Sequence, residues 1–305
     1  MKLLNHILAA TDFSDCSMYA VDRGFMIAKS AQSQYTIMHA LGMGAIAPFR
    51  EFLGEGGSQL AQEITEGTRS LLNEMISDPA RNLGVEAHTW LDEGFASTTI
   101  PAPAEAVNAD LILLGARGSS LLKRVFLGST ASKLLRLSKR PLLLIRQSST
   151  KAYQRILIAT DFSPCSEKAI RLAREIAPEA DILLLNVFNV PFEGKMFYAG
   201  VNEDIIHRYQ SEARERSLQQ LHALAEKAGL QPENYTALVQ YGDAVAEIAA
   251  LEAQYHCDLI VMGKHGTNVT EELLLGSVTR YVLAESKSDM LVVVDERAPV
   301  LDESE

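Results

Sequence analysis

An eleven-residue stretch, ILAATDFSDCS at positions 7–17, returns as ILIATDFSPCS at positions 156–166. A chain that runs the same apolar segment into the same Thr-Asp-Phe-Ser twice is one unit made twice, and this constrains its fold more than any other feature. The register holds along both halves. Asp12 and Asp161 are 149 positions apart, whereas Gly94 and Gly242, Asp110 and Asp258, Gly115 and Gly263, and Gly128 and Gly276 are each 148 apart, so a single-residue slip separates the copies. With 305 residues, each copy has about 150, enough to bury its own core. We place the domains at residues 1–147 and 154–297, with SSTKAYQ (148–154) as the linker.

Within each half, short apolar runs alternate with helical periodicity. In the second half the strands are predicted at 155–160, 181–188, 235–241, 257–263 and 290–295. Their Leu/Ile/Val content without alternation suits parallel strands covered on both faces. The stretches between them, such as 165–177 and 244–256, place apolar residues on one helical face. The fold class is therefore α/β: two tandem doubly wound open sandwiches, each a five-stranded parallel sheet flanked by helices, with ligands expected at the carboxyl ends of the strands. In the first half FASTTIPAPAEAVN (95–108) breaks the pattern. Pro101 and Pro103 are not expected to share one helix, so that helix should start near Pro103 or give way to an extended segment.

Each half carries a glycine at the end of its fourth strand, another three residues on, and a Gly-Ser after nine more: Gly115, Gly118 and Gly128-Ser129, then Gly263, Gly266 and Gly276-Ser277. Glycine at such places permits positive φ and close approach of a ligand. Ser129 and Ser277 each precede an amphipathic stretch and are expected as N-caps, above free amides that suit a phosphate. Asp12 and Asp161 follow the first strands, which neighbour the fourth strands at the switch point, so their carboxylates can meet ribose hydroxyls or an adenine amine. The competing reading is that both aspartates only cap the next helix through the Asp-Phe-Ser turn. Arg117, Lys123 and Arg124 supply cations to the first glycine loop, while the second has Lys264 and His265 beside Glu271 and Glu272. The segment LGEGG (53–57) reads as a loop near the site.

Several classes fall away on composition. The net charge of −11 repels a nucleic-acid backbone, and no basic stripe offsets it. No run of 18 or more uncharged apolar residues could span a bilayer, and the first residues read as a strand rather than a signal peptide, which predicts a cytoplasmic protein without membrane contact. Cys16, Cys165 and Cys257 lack the spacing of a disulfide framework or zinc knuckle, and the seven histidines show no close ligand spacing, so no metal site is expected. Neither a P-loop nor a kinase signature is present.

The order of these motifs, Thr-Asp-Phe-Ser, then His-Ala (39–40) or Asn-Val (186–187) ending the second strand, then Gly-x-x-Gly-x9-Gly-Ser, resembles the universal stress protein family, in particular its tandem, UspE-type members. Family members that keep the glycine motif form the ATP-binding class, so the resemblance implies ATP, arriving with Mg2+, in both halves. By that resemblance the adenosine end would touch Ala10, Asp12 and Ala40, or Ala159, Asp161 and Val187. The phosphates would lie against Gly115, Gly118, Gly128, Ser129 and Thr130, or Gly263, Gly266, Gly276, Ser277, Val278 and Thr279, with Leu114, Arg117, Met262 and His265 completing the set. It further implies a stress-response regulator with little or no turnover, the alternative being a slow ATP hydrolase or autophosphorylating enzyme of the same fold. The edge strands at 141–146 and 290–295 lead us to expect the halves to pair as an internal pseudo-dimer, with a homodimer and an unknown regulatory protein as further partners.

Overall fold

Most of the unalternating apolar runs become strands buried on both faces, whereas 87–93 and 235–241 stay partly exposed. A computed structural model describes residues 2–42, 55–117, 127–148, 151–190, 195, 198–266 and 275–294. The sequence positions Gly118, Lys123, Arg124, Glu271 and Glu272 lie outside the described residues, as do 53 and 54, whereas 55–57 begin a helix where the sequence led us to expect a loop. The chain divides near Ala152 into two compact units.

In the first unit, β1 (His6–Ala10), β2 (Gln34–Leu41), β3 (Ala87–Glu93), β4 (Leu111–Gly115) and β5 (Leu142–Ile145) form a parallel sheet in the order β3-β2-β1-β4-β5. In the second unit, β6 (Arg155–Ala159), β7 (Asp181–Phe188), β8 (Tyr235–Tyr241), β9 (Leu259–Gly263) and β10 (Asp289–Val293) repeat it as β8-β7-β6-β9-β10. Strand order reverses between β1 and β4, and between β6 and β9, which opens a crevice at the carboxyl ends of those strands. The central strands carry the core: Ile7, Leu8, Ala9, Leu111 and Leu113 are fully buried, as are Ile156, Leu157, Leu259, Ile260 and Val261.

Helices cover the sheets from the expected stretches. The first unit has α1 (Asp15–Ala31), α2 (Glu55–Ser77), α3 (Pro79–Asn82), α4 (Ala96–Thr99), α5 (Pro101–Ala106) and α6 (Ser129–Leu137). The second has α7 (Ser166–Ile176), α8 (Glu203–Lys227), α9 (Ala244–Tyr255) and α10 (Ser277–Glu285). None of the helices among the described residues is long and apolar enough to cross a membrane.

Two boundaries differ from expectation for physical reasons. β9 begins at Leu259 rather than Cys257, because the Asp258 carboxylate accepts the amides of Gln154 (2.7 Å) and Arg155 (3.1 Å) and so pins the start of β6 from outside the ladder. Asp110 does the same for the first unit, accepting the Asn5 and His6 amides at 2.7 and 3.1 Å, which gives this aspartate pair a structural purpose. The proline segment is helical after all. It splits at Ile100, and Pro101 and Pro103 occupy the first turn of α5, where an amide proton would find no intrahelical partner in any case. The corresponding α9 is unbroken and capped by Asp243, whose carboxylate accepts the Ala246 amide at 2.9 Å.

The units also differ in how this helix is held. Glu252 on α9 turns one carboxylate oxygen toward the chain after α10, where it accepts from Ser286 Oγ, the Lys287 and Ser288 amides, and Ser288 Oγ at 2.6–3.0 Å. The first unit has Ala104 at the equivalent place, 148 positions earlier, so this carboxylate has no counterpart there.

Candidate functional site

The repeated Thr-Asp-Phe-Ser is a turn that holds itself. In the first unit the Thr11 amide continues the ladder by donating to Met38 O at 2.9 Å, and the chain then leaves the sheet. Thr11 Oγ1 accepts the Phe13 amide (3.0 Å), and Asp12 Oδ1 accepts the Ser14 amide (3.1 Å) and the Ser14 hydroxyl. Ser17 Oγ donates to Ser14 O at 2.9 Å, so it receives the protons of Thr11 Oγ1 (3.0 Å) and the Asp12 amide (3.2 Å). These bonds place Phe13 at φ 60°, a conformation that bulky L-residues seldom adopt unless their surroundings impose it.

The second unit repeats the arrangement closely. The Thr160 amide donates to Leu185 O (2.9 Å), Phe162 N to Thr160 Oγ1 (2.9 Å), Ser163 N to Asp161 Oδ1 (3.1 Å) and Thr160 Oγ1 to Ser166 Oγ (2.7 Å), with Phe162 at φ 63°. The turn-closing reading of the aspartates is seen directly, and it leaves each of them at the edge of a cavity. One oxygen of each closes the turn, and each aspartate lines a cavity.

The glycine motifs shape the opposite wall. Gly128 donates its amide to Ala116 O at 2.8 Å, and Gly276 to Lys264 O at 2.9 Å, so a hydrogen-bonded neck joins the residue after each fourth strand to the cap of the helix that follows. Gly128 and Gly276 are themselves the N-caps of α6 and α10, with φ −66° and −54° and no side-chain cap bond. Ser129 and Ser277 therefore stand one position inside the helix rather than at the cap. A glycine cap has no side chain to satisfy the first-turn amides, so these keep their capacity for an anion.

The motif glycines answer to packing more than to positive φ, which none of the described ones adopts. A Cβ on Gly115 would stand 2.7 Å from the backbone of Cys16 and Ser17 at the start of α1. On Gly263 it would meet Cys165 Sγ at 2.6 Å, and on Gly266 the Asp161 Oδ2 at 2.7 Å. In the first unit β4 can end where it does because the start of α1 comes down onto a residue without a side chain, and in the second the space beside Gly263 is taken by the Cys165 thiol.

Turn, strand ends and helix start enclose a cavity of about 230 Å³ in the first unit and about 280 Å³ in the second. Ala10, Asp12, Ala40, Leu114, Gly115 and Arg117 line the first, and Gly128, Ser129 and Thr130 close it. Ala159, Asp161, Val187, Met262, Gly263, His265 and Gly266 line the second, closed by Gly276, Ser277, Val278 and Thr279. The described residues expected to touch the nucleotide are thus brought together, with one of the expected cations left out. Lys264 is not among them. It is 4% exposed and does not line the cavity, so His265 is the described basic residue on that wall.

The sequence reading missed part of the floor and one side. Met38 and Leu185 lie two residues before Ala40 and Val187 on the same strand face, a period-2 signal that was available. Ala96 and Ile100 in one unit, and Ala244 and Ile248 in the other, present an i, i+4 pair to the cavity. In the first unit the prolines obscured that periodicity.

Each cavity thus has an apolar floor, a carboxylate on one rim and a helix start on the other. Against known families, the model described as the universal stress protein family matches residues 4–146 and again 152–294. The chain belongs to the universal stress protein family. A universal stress protein of Mycolicibacterium smegmatis is 25% identical over 304 residues, covering 94% of this chain and 96% of that one. One from Methanocaldococcus jannaschii is 31% identical over 148 residues, 48% of this chain and 84% of its own length. Among solved structures, a universal stress protein from Archaeoglobus fulgidus superposes with a TM-score of 0.64 over 95% of this chain and 98% of that one at 19% identity, a likeness of fold. Membership twice in one chain makes this a tandem universal stress protein, and accounts for the duplicated cavity.

Proposed function

We propose that each unit of this universal stress protein holds an adenine nucleotide, ATP foremost, and that the protein acts as a nucleotide-dependent stress-response regulator in the cytoplasm with little or no turnover. The observation that carries this reading is the twofold occurrence of one cavity joining three chemistries within one crevice. The floor of Ala10, Met38, Ala40 and Leu114, like that of Ala159, Leu185, Val187 and Met262, offers a flat base a dry surface. Asp12 and Asp161 present a carboxylate that accepts hydrogen bonds from ribose hydroxyls or an exocyclic amine. The uncapped starts of α6 and α10 offer backbone amides and the positive end of a helix dipole to phosphates.

Size agrees with this. Cavities of about 230 and 280 Å³ fall just below the ligand-site range of roughly 300–1,000 Å³, so each would take a nucleoside body with its phosphates outside, at the mouth. In a protein of net charge −11 an anion has to be held by such local groups, with Arg117 or His265 alongside. Among the described residues no group of three His, Cys, Asp or Glu side chains is placed to hold a metal, so Mg2+ would come with the triphosphate.

The test is the nucleotide content of the purified protein, released by acid and separated against ATP, ADP and AMP standards. ATP near two equivalents per chain is expected. ADP or AMP in its place would favour a slow hydrolase, and no nucleotide, even after ATP is added back, would refute the reading.

A further inference from the structure

The carbonyl of the threonine that starts each turn poses a problem that the two units solve with different side chains. Thr11 and Thr160 are the last residues to donate a ladder bond, and both are buried, at 5% and 9% exposure. The chain then swings away, so no ladder amide follows to serve their carbonyls, and a buried carbonyl without a donor is costly. In the first unit His39 reaches it, with Nδ1 at 2.7 Å from Thr11 O. A carbonyl only accepts, so the imidazole carries its proton on Nδ1. In the second unit Asn186 does the same, its Nδ2 donating to Thr160 O at 2.8 Å.

The two donors stand at equivalent places, each immediately before the strand residue that lines the cavity, Ala40 or Val187. Neither His39 nor Asn186 lines the cavity itself. What they hold is the peptide that joins the threonine to Asp12 or Asp161. His39 also stacks on Phe13, with ring centroids 4.7 Å apart, so it supports the left-handed residue as well as the carbonyl.

We propose that His39 and Asn186 are positioning residues for the two nucleotide sites, interchangeable in chemistry because the task needs one N–H donor at one distance. Each fixes the threonine carbonyl, that carbonyl fixes the following peptide, and the peptide aims the aspartate into the cavity. This inference rests on the nucleotide reading above and adds to it the residues that set the carboxylate's orientation.

The experiment isolates one site at a time. In a Gly276→Asp background a carboxylate at the α10 cap occupies its first-turn amides and repels phosphate, which leaves the first site for calorimetric titration with Mg-ATP. Gly128→Asp leaves the second site in the same way. In the first background His39→Leu is expected to weaken ATP on the order of tenfold, the effect of losing one buried hydrogen bond that orders a binding group. His39→Asn, which installs the second unit's own solution, is expected to recover affinity to within about threefold of the parent. Asn186→Leu and Asn186→His form the reciprocal pair. Hydrogen exchange of peptides spanning 11–17 and 160–166, measured without nucleotide, should rise in the leucine variants and stay at the parental level in the swapped ones.

Leucine variants that bind ATP as the parent does would overturn the proposal, as would swapped variants as weak as the leucine ones. A parent protein that binds no ATP in either background would instead refute the nucleotide reading itself, and the two failures are told apart by that first titration.

Discussion

Replacing Gly115 by alanine tests whether the end of β4 is glycine for the ligand's sake or for the fold's. The added methyl would lie 2.7 Å from both Cys16 C and Ser17 N and 2.9 Å from Cys16 O. Ordinary contacts begin near 3.4 Å, so strand and helix must part by about 0.7 Å. Neither gives way cheaply. β4 is hydrogen-bonded to β1 on one side and β5 on the other, and the opposing atoms are backbone rather than the end of a side chain. Overpacking costs of about 1–3 kcal/mol are usual, and the rigid surroundings place this one near the top, at about 3 kcal/mol. The single tryptophan, Trp90, lies in β3 of the first unit, so urea unfolding followed by its fluorescence reports on that unit. With a slope of about 2 kcal/mol/M the midpoint should fall by about 1.5 M. At Gly263 the same change meets Cys165 Sγ at 2.6 Å and the His265 carbonyl oxygen at 3.1 Å, and a loss of about 2 kcal/mol is expected, only partly restored by adding Cys165→Ala. A Gly115→Ala midpoint within about 0.3 M of the parent at unchanged slope would refute the packing argument.

Four further outcomes follow from the geometry. Glu252→Ala removes the shared acceptor of two amides and two hydroxyls, and protection of peptides 244–256 and 277–290 in hydrogen exchange should fall about 30-fold, the equivalent of about 2 kcal/mol. Peptide 96–107 of the first unit, which has Ala104 at this place, should be unaffected. Asp12→Asn keeps an oxygen for the Ser14 amide and should leave stability within about 0.5 kcal/mol, whereas Asp12→Ala also frees Phe13 from its turn and should cost about 1 kcal/mol in the Trp90-monitored unfolding. Burial, aided by Glu252 and Asp258, pushes the Cys257 thiol up to about 11. At pH 8 only about one part in a thousand is thiolate, so native-state alkylation of Cys257 by iodoacetamide should be barely detectable and should climb with pH toward 11. Finally, with Lys264 withdrawn from the second cavity, the first site should hold ATP more tightly than the second, and equal affinities in the Gly276→Asp and Gly128→Asp proteins would contradict this.

What could be read from the sequence follows the repeat. Strand positions came from unalternating apolar runs, and the strands of the second half fall within two residues of their predicted starts and ends. The cavity walls were legible because two copies of Thr-Asp-Phe-Ser and of the glycine motif mark the ends of the first and fourth strands. The reasons behind them were not. That Gly115 faces the backbone of Cys16 depends on how closely α1 descends on β4, a tertiary distance with no local signature. The serine after Gly128 resembled a cap because serine usually is one, yet the helix begins one residue earlier than that preference implies. Pro101 and Pro103 looked like breakers until their place in the first turn of a new helix was known. His39 and Asn186 match in place, as His-Ala and Asn-Val at the ends of the second strands, but they differ in chemistry and lie 147 positions apart rather than 148 or 149, so their common job was not legible.

The necks at Gly128 and Gly276 bear on how such a chain can be altered. In each unit one backbone bond, from Gly128 N to Ala116 O or from Gly276 N to Lys264 O, ties together the two ends of the intervening sequence without calling on its side chains. Doubling the length of the intervening sequence adds only about 0.6 kcal/mol of closure entropy. Each neck is therefore a splice point, at which peptide epitopes, reporter modules or loops borrowed from a relative can be inserted into one copy while the other is kept as an unmodified reference within the same molecule.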